Sequence, residues 1–172
     1  MGGEAVSDSP ALRPFLAADA PALAALFQAS VEDLAAEDYT DAQRAAWAGL
    51  ADDEAAFAAR LAERLTLVAT IEGEPVGFAS LRGVEEIDLL YVLPSAARMG
   101  VGTLLCDALE RLATARGGVK LTVDASDTAE PFFAGRGYVP TSRNTRIVGD
   151  EWLGNTTMMK QLAAAPAPGT KP

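Results

Sequence analysis

The chain has 172 residues, of which 49% are hydrophobic and 22% charged, and its formal net charge is −10. This length predicts one domain with a full core, and the acidic balance disfavours nucleic acid as a partner because phosphate would be repelled. The chain has no histidine, which excludes His-based triads, Cys–His pairs and the commonest metal ligand, so no metal is expected.

Cysteine usage and hydropathy give the expected location and domain limits. The single cysteine excludes an internal disulfide and favours a cytoplasmic location. No apolar run reaches the about 18 residues needed for a membrane span, and no signal-peptide pattern precedes residue 11. We expect residues 1–10 to form a disordered leader, residues 11–162 a single domain, and the Ala- and Pro-rich residues 163–172 a disordered tail.

The N-terminal part of the domain is predicted to contain one short strand and then helices. The strand covers residues 12–16, and a first helix starts after Asp19. Thr40 or Asp41 caps a short second helix, and a third helix runs over residues 52–65.

Residues 17–65 also concentrate the acidic charge. This segment carries ten acidic and three basic side chains, a net charge of −7. Such a surface favours an amine or another cationic partner; the alternative is a solvated helical face that keeps the protein soluble. Tyr39 and Trp47 lie between the helices and either line a substrate cleft or pack in the core.

The hydrophobic pattern changes to period two at residue 67. Residues 67–71 and 75–81 are predicted strands that a glycine-centred turn joins, and residues 86–93 form a third strand. Three consecutive strands of this kind predict an antiparallel meander.

A strand-to-helix turn follows this meander. Pro94 ends the strand, and Gly100 and Gly102 open a helix with apolar residues at helical spacing. The backbone N–H groups of residues 98–103 lack intrahelical partners at the positive end of the helix dipole, which favours a bound phosphate or pyrophosphate. The alternative is that the glycines serve packing alone. Leu105 occupies the third position of a dinucleotide fingerprint, so that motif is absent.

The C-terminal part of the domain is predicted to complete the sheet. Residues 120–124 form a strand parallel to the one before the helix, because a helical crossover connects them. Asp127 or Thr128 caps a further helix. Residues 138–148 and 151–161 form a closing hairpin.

The strand–turn–helix segment resembles the coenzyme-A-binding segment of the GNAT superfamily, the acetyl-CoA-dependent N-acyltransferases. Val92, Pro94, Gly100 and Gly102 match that family's Val-x-Pro, followed by Gln/Arg-x-x-Gly-x-Gly/Ala, at the right spacing. A second segment matches the family's pattern around the following helix, through Ala129, Phe132, Phe133, Gly137 and Tyr138.

The order of predicted elements from residue 12 to residue 162 also matches this superfamily. The resemblance implies the GNAT fold, which belongs to the α/β (α+β) class. Its mixed, mostly antiparallel sheet has about six to seven strands, is flanked by helices and is splayed at the two central parallel strands.

The resemblance further implies a set of residues that bind acetyl-CoA as cosubstrate. Pantetheine pairs with the backbone of Leu90, Tyr91 and Val92, where one N–H serves as oxyanion donor. Ser126, Phe132 and Phe133 border the pantetheine and the thiol on the opposite wall. The pyrophosphate is held by backbone N–H groups of Arg98, Met99, Gly100, Val101, Gly102 and Thr103, and the Arg98 side chain adds a charge contact.

Three positions depart from the family pattern. Ala97 stands where Gln or Arg is usual, and Ser126 stands where the family has Asn. Phe133 replaces the tyrosine that often protonates the leaving thiolate, so either another group supplies the proton or the thiolate leaves unassisted. Tyr138 belongs to the glycine-aromatic position and is expected to be packed, as is Cys106 on its helix.

The candidate catalytic residues lie at the start of the third strand of the meander. Glu86 falls where the histone-acetylating branch of the superfamily has its catalytic glutamate, and Asp88 is the second candidate base, followed by Glu85. Strand alternation places Glu86, Asp88, Leu90 and Val92 on one face. The alternative is that Glu86 only solubilises a wet strand end; Asp124 and Asp127 are then the further candidates.

The function implied is transfer of an acetyl group from acetyl-CoA to a primary amine by direct attack in a ternary complex. The competing interpretation is a non-catalytic CoA-binding sensor or interaction module of the same fold, which the change to Phe133 favours. The expected state is a monomer or homodimer, with no membrane or nucleic-acid partner.

Overall fold

The structure is a computed structural model that describes residues 9–163. No helix in that range is long and apolar enough to cross a membrane. Most of the predicted leader and tail lies outside the described residues. Within them the strands and α-helices are β1 Ala11–Pro14, α1 Ala20–Leu34, α2 Asp41–Ala48, α3 Glu54–Glu63, β2 Leu65–Ile71, β3 Glu74–Arg82, β4 Glu86–Val92, α4 Val101–Ala115, β5 Lys120–Ser126, α5 Glu130–Gly135, β6 Val139–Val148 and β7 Glu151–Gln161.

The strands form one seven-stranded sheet in the order β1-β2-β3-β4-β5-β7-β6. Each neighbouring pair is antiparallel except β4 and β5, which run parallel because α4 carries the chain back across the sheet. The predicted meander, the parallel central pair and the closing hairpin are confirmed.

Capping side chains set the start of two helices. Thr40 accepts a hydrogen bond from the Gln43 N–H and the Gln43 side chain reciprocates, so Thr40 is the N-cap of α2. Asp53 caps α3 by accepting a hydrogen bond from the Ala56 N–H at 3.0 Å. The predicted extension of α3 to residue 65 is wrong, because Arg64 is already extended and Leu65 begins β2.

The predicted cap of α5 is also wrong. Neither Asp127 nor Thr128 is the N-cap; Ala129 holds that position and Glu130 begins the helix. The Ser126 hydroxyl accepts a hydrogen bond from the Ala129 N–H at 3.1 Å. A serine turn therefore leads from β5 into α5.

The sheet has an apolar core on each face. Helices α1 and α3 cover one face, where Leu23, Phe27, Phe57 and Phe78 are buried. Helix α4 covers the other face and approaches closely because β3 has Gly77 there. A Cβ at that glycine would lie 2.7 Å from Val101 Cγ1, so the glycine fixes the position of the α4 N-terminus.

A β-bulge interrupts β4. Ser80 of β3 pairs with Leu89 and Leu81 pairs with Ile87, which leaves Asp88 as an extra residue. As a result, Ile87 packs in the α4-side core and Leu89 in the opposite core, although the two are only two residues apart.

The bulge corrects the predicted alternation. Asp88 contacts an arginine of α3, whereas Leu90 and Val92 pack against the core on the α4 side. The prediction that Glu86, Asp88, Leu90 and Val92 share one face is therefore wrong, because the extra residue shifts the two-residue period.

Candidate active site

The two parallel strands separate soon after they meet. Only Glu86 with Thr122 and Ile87 with Val123 are paired between β4 and β5. Strand β5 instead continues along β7 as far as Ser126. The β4 backbone from residue 88 to residue 92 therefore lacks a β5 partner, and a V-shaped opening separates the strands.

Two cavities meet in this opening. The first, of about 600 Å³, is lined by the turn after β4 and the start of α4, and we name it the turn cavity. The second, of about 560 Å³, lies toward α3 and the β6–β7 hairpin, and we name it the arginine cavity. Both have the size of small-ligand sites. The residues that line both are Trp47, Leu90, Tyr91, Ser126 and Ala129.

The turn cavity presents free backbone donors. The N–H groups of Gly100, Val101, Gly102 and Thr103 have no backbone acceptor within residues 9–163, and the first bond to the helix is from Leu104 to the Gly100 carbonyl. Arg98 and Gly100 have φ angles of 70° and 79°, in the left-handed region. Consecutive N–H groups at a helix start form an anion-binding concavity.

Met99 differs from the other residues of this turn. Its N–H donates to the Ala96 carbonyl at 3.2 Å, and its side chain is 46% exposed. Met99 does not line the turn cavity. This geometry disfavours Met99 as a phosphate donor, because the 3₁₀ turn over Pro94–Ala96 already uses its N–H.

Gly102 leaves space toward the cavity. A Cβ at this position would lie 3.5 Å from the Phe132 ring and 3.9 Å from Val92, which is ordinary contact. Packing within the protein therefore does not require a glycine here. Phe132 lines the turn cavity from the far wall, whereas Phe133 is buried and borders the arginine cavity.

Aromatic side chains separate the arginine cavity from the core. Tyr91 stacks on Phe78 and contacts Phe27 and Trp47 edge to face. The Tyr39 hydroxyl donates to the Gly154 carbonyl at 2.7 Å and accepts the Asp127 N–H at 2.9 Å. Tyr39 and Trp47 line the cavity and also pack in a hydrophobic core cluster, so each of the two sequence interpretations describes part of their environment.

Asp88 is held by two arginines of the α3 end. Its carboxylate accepts two hydrogen bonds from Arg60, each 3.0 Å long, and Arg64 Nε lies 3.4 Å away. Burial raises the pKa of Asp88, but the hydrogen bonds and charges of these arginines outweigh it, so the pKa lies below its usual value. A carboxylate paired in this way is a poor base, which disfavours the second catalytic candidate.

Glu86 remains available to the arginine cavity. It lines the cavity, its side chain is 43% exposed, and its nearest ion-pair partner is Arg82 at 3.9 Å. Asp124 also lines this cavity and accepts a hydrogen bond from the Thr157 hydroxyl.

The other two acidic candidates have structural contacts. Glu85 accepts the backbone N–H groups of Val119 and Lys120 at 3.3 Å each. Asp127 forms an ion pair with Arg143. Neither residue lines the arginine cavity, so both are set aside as bases.

Cys106 and Tyr138 lie in the α4-side core, away from both cavities. The Cys106 sulfur is 3.7 Å from the Tyr138 hydroxyl, and both side chains are buried. Burial raises the pKa of Cys106 to about 11, and it raises the pKa of Tyr138 as well. The predicted packing roles of both residues are confirmed.

The sequence interpretation missed the arginines of the cavity. Arg60, Arg64, Arg82 and Arg146 all line it. One signal was available for two of them, since Arg60 and Arg64 are basic residues one helical turn apart in a strongly acidic segment.

The comparisons with known proteins agree with this geometry. Residues 35–162 match the family model described as an acetyltransferase (GNAT) domain. The chain is 34% identical over 147 residues to the uncharacterized N-acetyltransferase YafP of Escherichia coli (strain K12), covering 86% of this chain and 93% of the relative.

Solved structures show the same fold. A GCN5-related N-acetyltransferase from Rhodopseudomonas palustris is 58% identical, with a TM-score of 0.88, and the match covers 94% of this chain and all of that one. PaiA N-acetyltransferase from Thermoplasma acidophilum, solved in complex with coenzyme A, is 16% identical, with a TM-score of 0.74 and coverage of 89% and 99%. The family match and the identity to these relatives extend over most of the chain, and the chain belongs to the GNAT acetyltransferase family.

Proposed function

We propose that this protein transfers an acetyl group from acetyl-CoA to a primary amine by direct attack within a ternary complex. The observation that carries the proposal is the meeting of the turn cavity and the arginine cavity at the unpaired backbone of β4. One cavity offers anion-binding N–H groups, and the other offers room for a second substrate. Two substrates bound in this way would meet at Leu90 and Tyr91.

The turn cavity is the proposed site of acetyl-CoA. Coenzyme A is present in the structure of the Thermoplasma acidophilum relative, which has the same fold. In this chain, the N–H groups from Gly100 to Thr103 would hold the pyrophosphate, with Arg98 adding charge. Pantetheine would pair with the free β4 backbone between Leu90 and Val92, beside Ser126 and Phe132.

Chemistry at the junction needs two proton movements. The neutral amine attacks the thioester carbonyl, and a β4 backbone N–H stabilises the oxyanion that forms. Collapse of this intermediate breaks the C–S bond and releases coenzyme A thiolate, while the nitrogen loses its proton. Phe133 cannot protonate the sulfur, so the thiolate leaves unassisted and takes its proton from water; a thiol is acidic enough for this above about pH 8.

Glu86 is the proposed base for the amine. It lies four residues before Leu90, roughly 13 Å along an extended strand, so a chain of several waters through the arginine cavity would carry the proton to it. We expect Glu86→Gln to lower kcat by about 100-fold and to remove the acidic limb of the pH–rate profile. Acetyl-CoA affinity should stay at the wild-type value, because Glu86 does not line the turn cavity.

The matched control for this prediction is Asp124→Asn. Asp124 lines the same cavity and carries the same charge, but its carboxylate is bonded to Thr157. If the pH–rate profile is unaltered in Glu86→Gln but loses its acidic limb in Asp124→Asn, Asp124 rather than Glu86 is the base.

The test of the whole proposal is release of free coenzyme A thiol. The purified protein is first titrated calorimetrically with acetyl-CoA, and a panel of primary amines is then assayed for thiol release. Binding followed by amine-dependent release supports the transferase. Binding without release for any amine would support the sensor module that the change to Phe133 favours, and absence of binding would contradict both functions.

A further inference from the structure

We propose that the acceptor of this enzyme is a small amine that also bears an anionic group, a carboxylate or a phosphate, which the arginine cavity recognises. The inference rests on the proposed function and adds the substrate class. It follows from the charge of the cavity, which is opposite in sign to that of the whole chain.

The lining of the arginine cavity is rich in guanidinium groups. Its charged side chains are Arg60, Arg64, Arg82, Arg146, Glu86, Asp88 and Asp124, a net charge of +1. The chain as a whole has 14 basic and 24 acidic side chains. Four arginines around one cavity in such an acidic protein form a local positive field, which attracts anions.

The two guanidinium groups at the C-terminal end of α3 outnumber the carboxylates that form hydrogen bonds with them. Both carboxylate oxygens of Asp88 accept hydrogen bonds from Arg60, so Asp88 has little hydrogen-bonding capacity left for Arg64. The Arg64 side chain is only 17% exposed, and its Nε lacks a hydrogen-bond partner within the described residues. Its other acidic neighbour, Glu63, is 3.9 Å away and largely exposed. Arg60 and Arg64 thus share the Asp88 carboxylate at the cavity wall, and Arg64 Nε makes no hydrogen bond to it.

Arg146 approaches from the opposite wall. It lies on β6, is exposed, and forms no ion pair with any residue between 9 and 163. Arg60, Tyr91 and Arg146 line the same cavity. Burial raises the pKa of Tyr91, and the positive charges of Arg60 and Arg146 oppose that rise without cancelling it. Tyr91 marks the junction of the two cavities. A substrate at this junction would lie between the two arginines.

Guanidinium groups match carboxylate and phosphate oxygens in pairs of parallel hydrogen bonds. An anionic group held by Arg64 and Arg146 would leave the amine end of the same molecule free to reach Leu90 and Tyr91, where the two cavities meet and acetyl transfer is proposed. An amino acid or another small zwitterion therefore fits the cavity, because the arginines recognise its anionic end and its amine end faces the junction. A purely cationic acceptor, which the acidic surface alone favours, would meet excess positive charge here.

The test compares acceptors that differ only in the anionic group. Amino acids are assayed against their carboxamides, and O-phosphoethanolamine is assayed against ethanolamine, at saturating acetyl-CoA. We expect kcat/KM to be at least about tenfold higher for the anionic member of one pair. The pair that shows the preference identifies carboxylate or phosphate as the recognised group.

The variant Arg146→Gln tests whether the arginine cavity causes the preference for the anionic acceptor. It should raise KM about tenfold for the preferred anionic acceptor and leave KM for its neutral partner unchanged. Arg111→Gln is the matched control, because it removes the same charge from an exposed site on α4. Acetyl-CoA binding should be the same in both variants.

The outcomes separate the two proposals. Turnover of neutral and anionic amines with equal kcat/KM would overturn the anionic-acceptor inference and leave the transferase function standing. The same conclusion follows if Arg146→Gln and Arg111→Gln raise KM equally. Absence of thiol release for every amine would overturn the transferase function itself, and the acceptor inference with it.

Discussion

Gly102→Glu is expected to lower the affinity for acetyl-CoA by at least about 100-fold, which corresponds to about 2.7 kcal/mol. The new carboxylate would start in the first turn of α4, where a Cβ makes only ordinary contacts and the side chain faces the turn cavity. It would fill the space needed for close approach of a pyrophosphate, and its negative charge would compete for the free N–H groups. Calorimetric titration with acetyl-CoA measures the loss.

Loss of the fold would not explain this result. A glutamate in the first turn of a helix interacts favourably with the helix dipole, and replacing glycine in a helix generally raises stability. The urea midpoint of Gly102→Glu should therefore equal or exceed that of the wild type. Gly102→Ala is the size control, since its Cβ makes only ordinary contacts with Phe132 and Val92. Wild-type affinity in Gly102→Glu would contradict the anion site at this turn.

Periodicity and local turn chemistry account for most of what could be predicted. The two-residue period located β2, β3 and β4, and the pair Glu72 and Gly73, which has positive φ at both residues, joins the first two of these strands. Thr40 and Asp41 were both candidate caps of α2, and the structure assigns the cap to Thr40, which forms a capping box with Gln43. Such signals lie within a few residues of the structure they determine.

Features that depend on distant contacts were not predictable in this way. The bulge at Asp88 arises because β3 pairs with β4 in two registers, and no sequence pattern within β4 predicts it. Arg146 reaches the cavity only because β6 forms the outer strand of the last hairpin, although Arg146 lies 54 residues after the end of β4 and 83 residues after the end of α3. Counting charged residues along the sequence therefore predicted the negative charge of the surface but not the positive charge of the arginine cavity.

Asp88→Asn is expected to lower the free energy of unfolding by about 3 kcal/mol at pH 7. The Asp88 side chain is only 8% exposed. Replacing it with a neutral asparagine removes the carboxylate charge that Arg60 and Arg64 share, and leaves the two guanidinium groups close together. Arg60 is one-third exposed, so the loss should fall at the lower end of the range for broken buried pairs. Urea unfolding of both proteins measures the difference.

The stability difference should depend on pH in a defined direction. The arginines hold the pKa of Asp88 below its usual value in the folded protein. In the unfolded chain the pKa of an aspartate is about 4. Because the pKa of Asp88 is lower in the folded protein, its ionised form stabilises the fold at every pH above that unfolded value. This stabilisation disappears as the pH falls through the pKa of the folded state. The gap between wild type and Asp88→Asn should therefore be full at pH 7 and should shrink below about pH 4.

A matched control and an activity assay complete this test. Glu63→Gln removes a largely exposed carboxylate that is 3.9 Å from the same Arg64, and it should change stability little. If Asp88 positions the arginines, Asp88→Asn should raise the acceptor KM more than it lowers kcat. A fall in kcat with unchanged stability would instead identify Asp88 as the base, and Glu86 would lose that role.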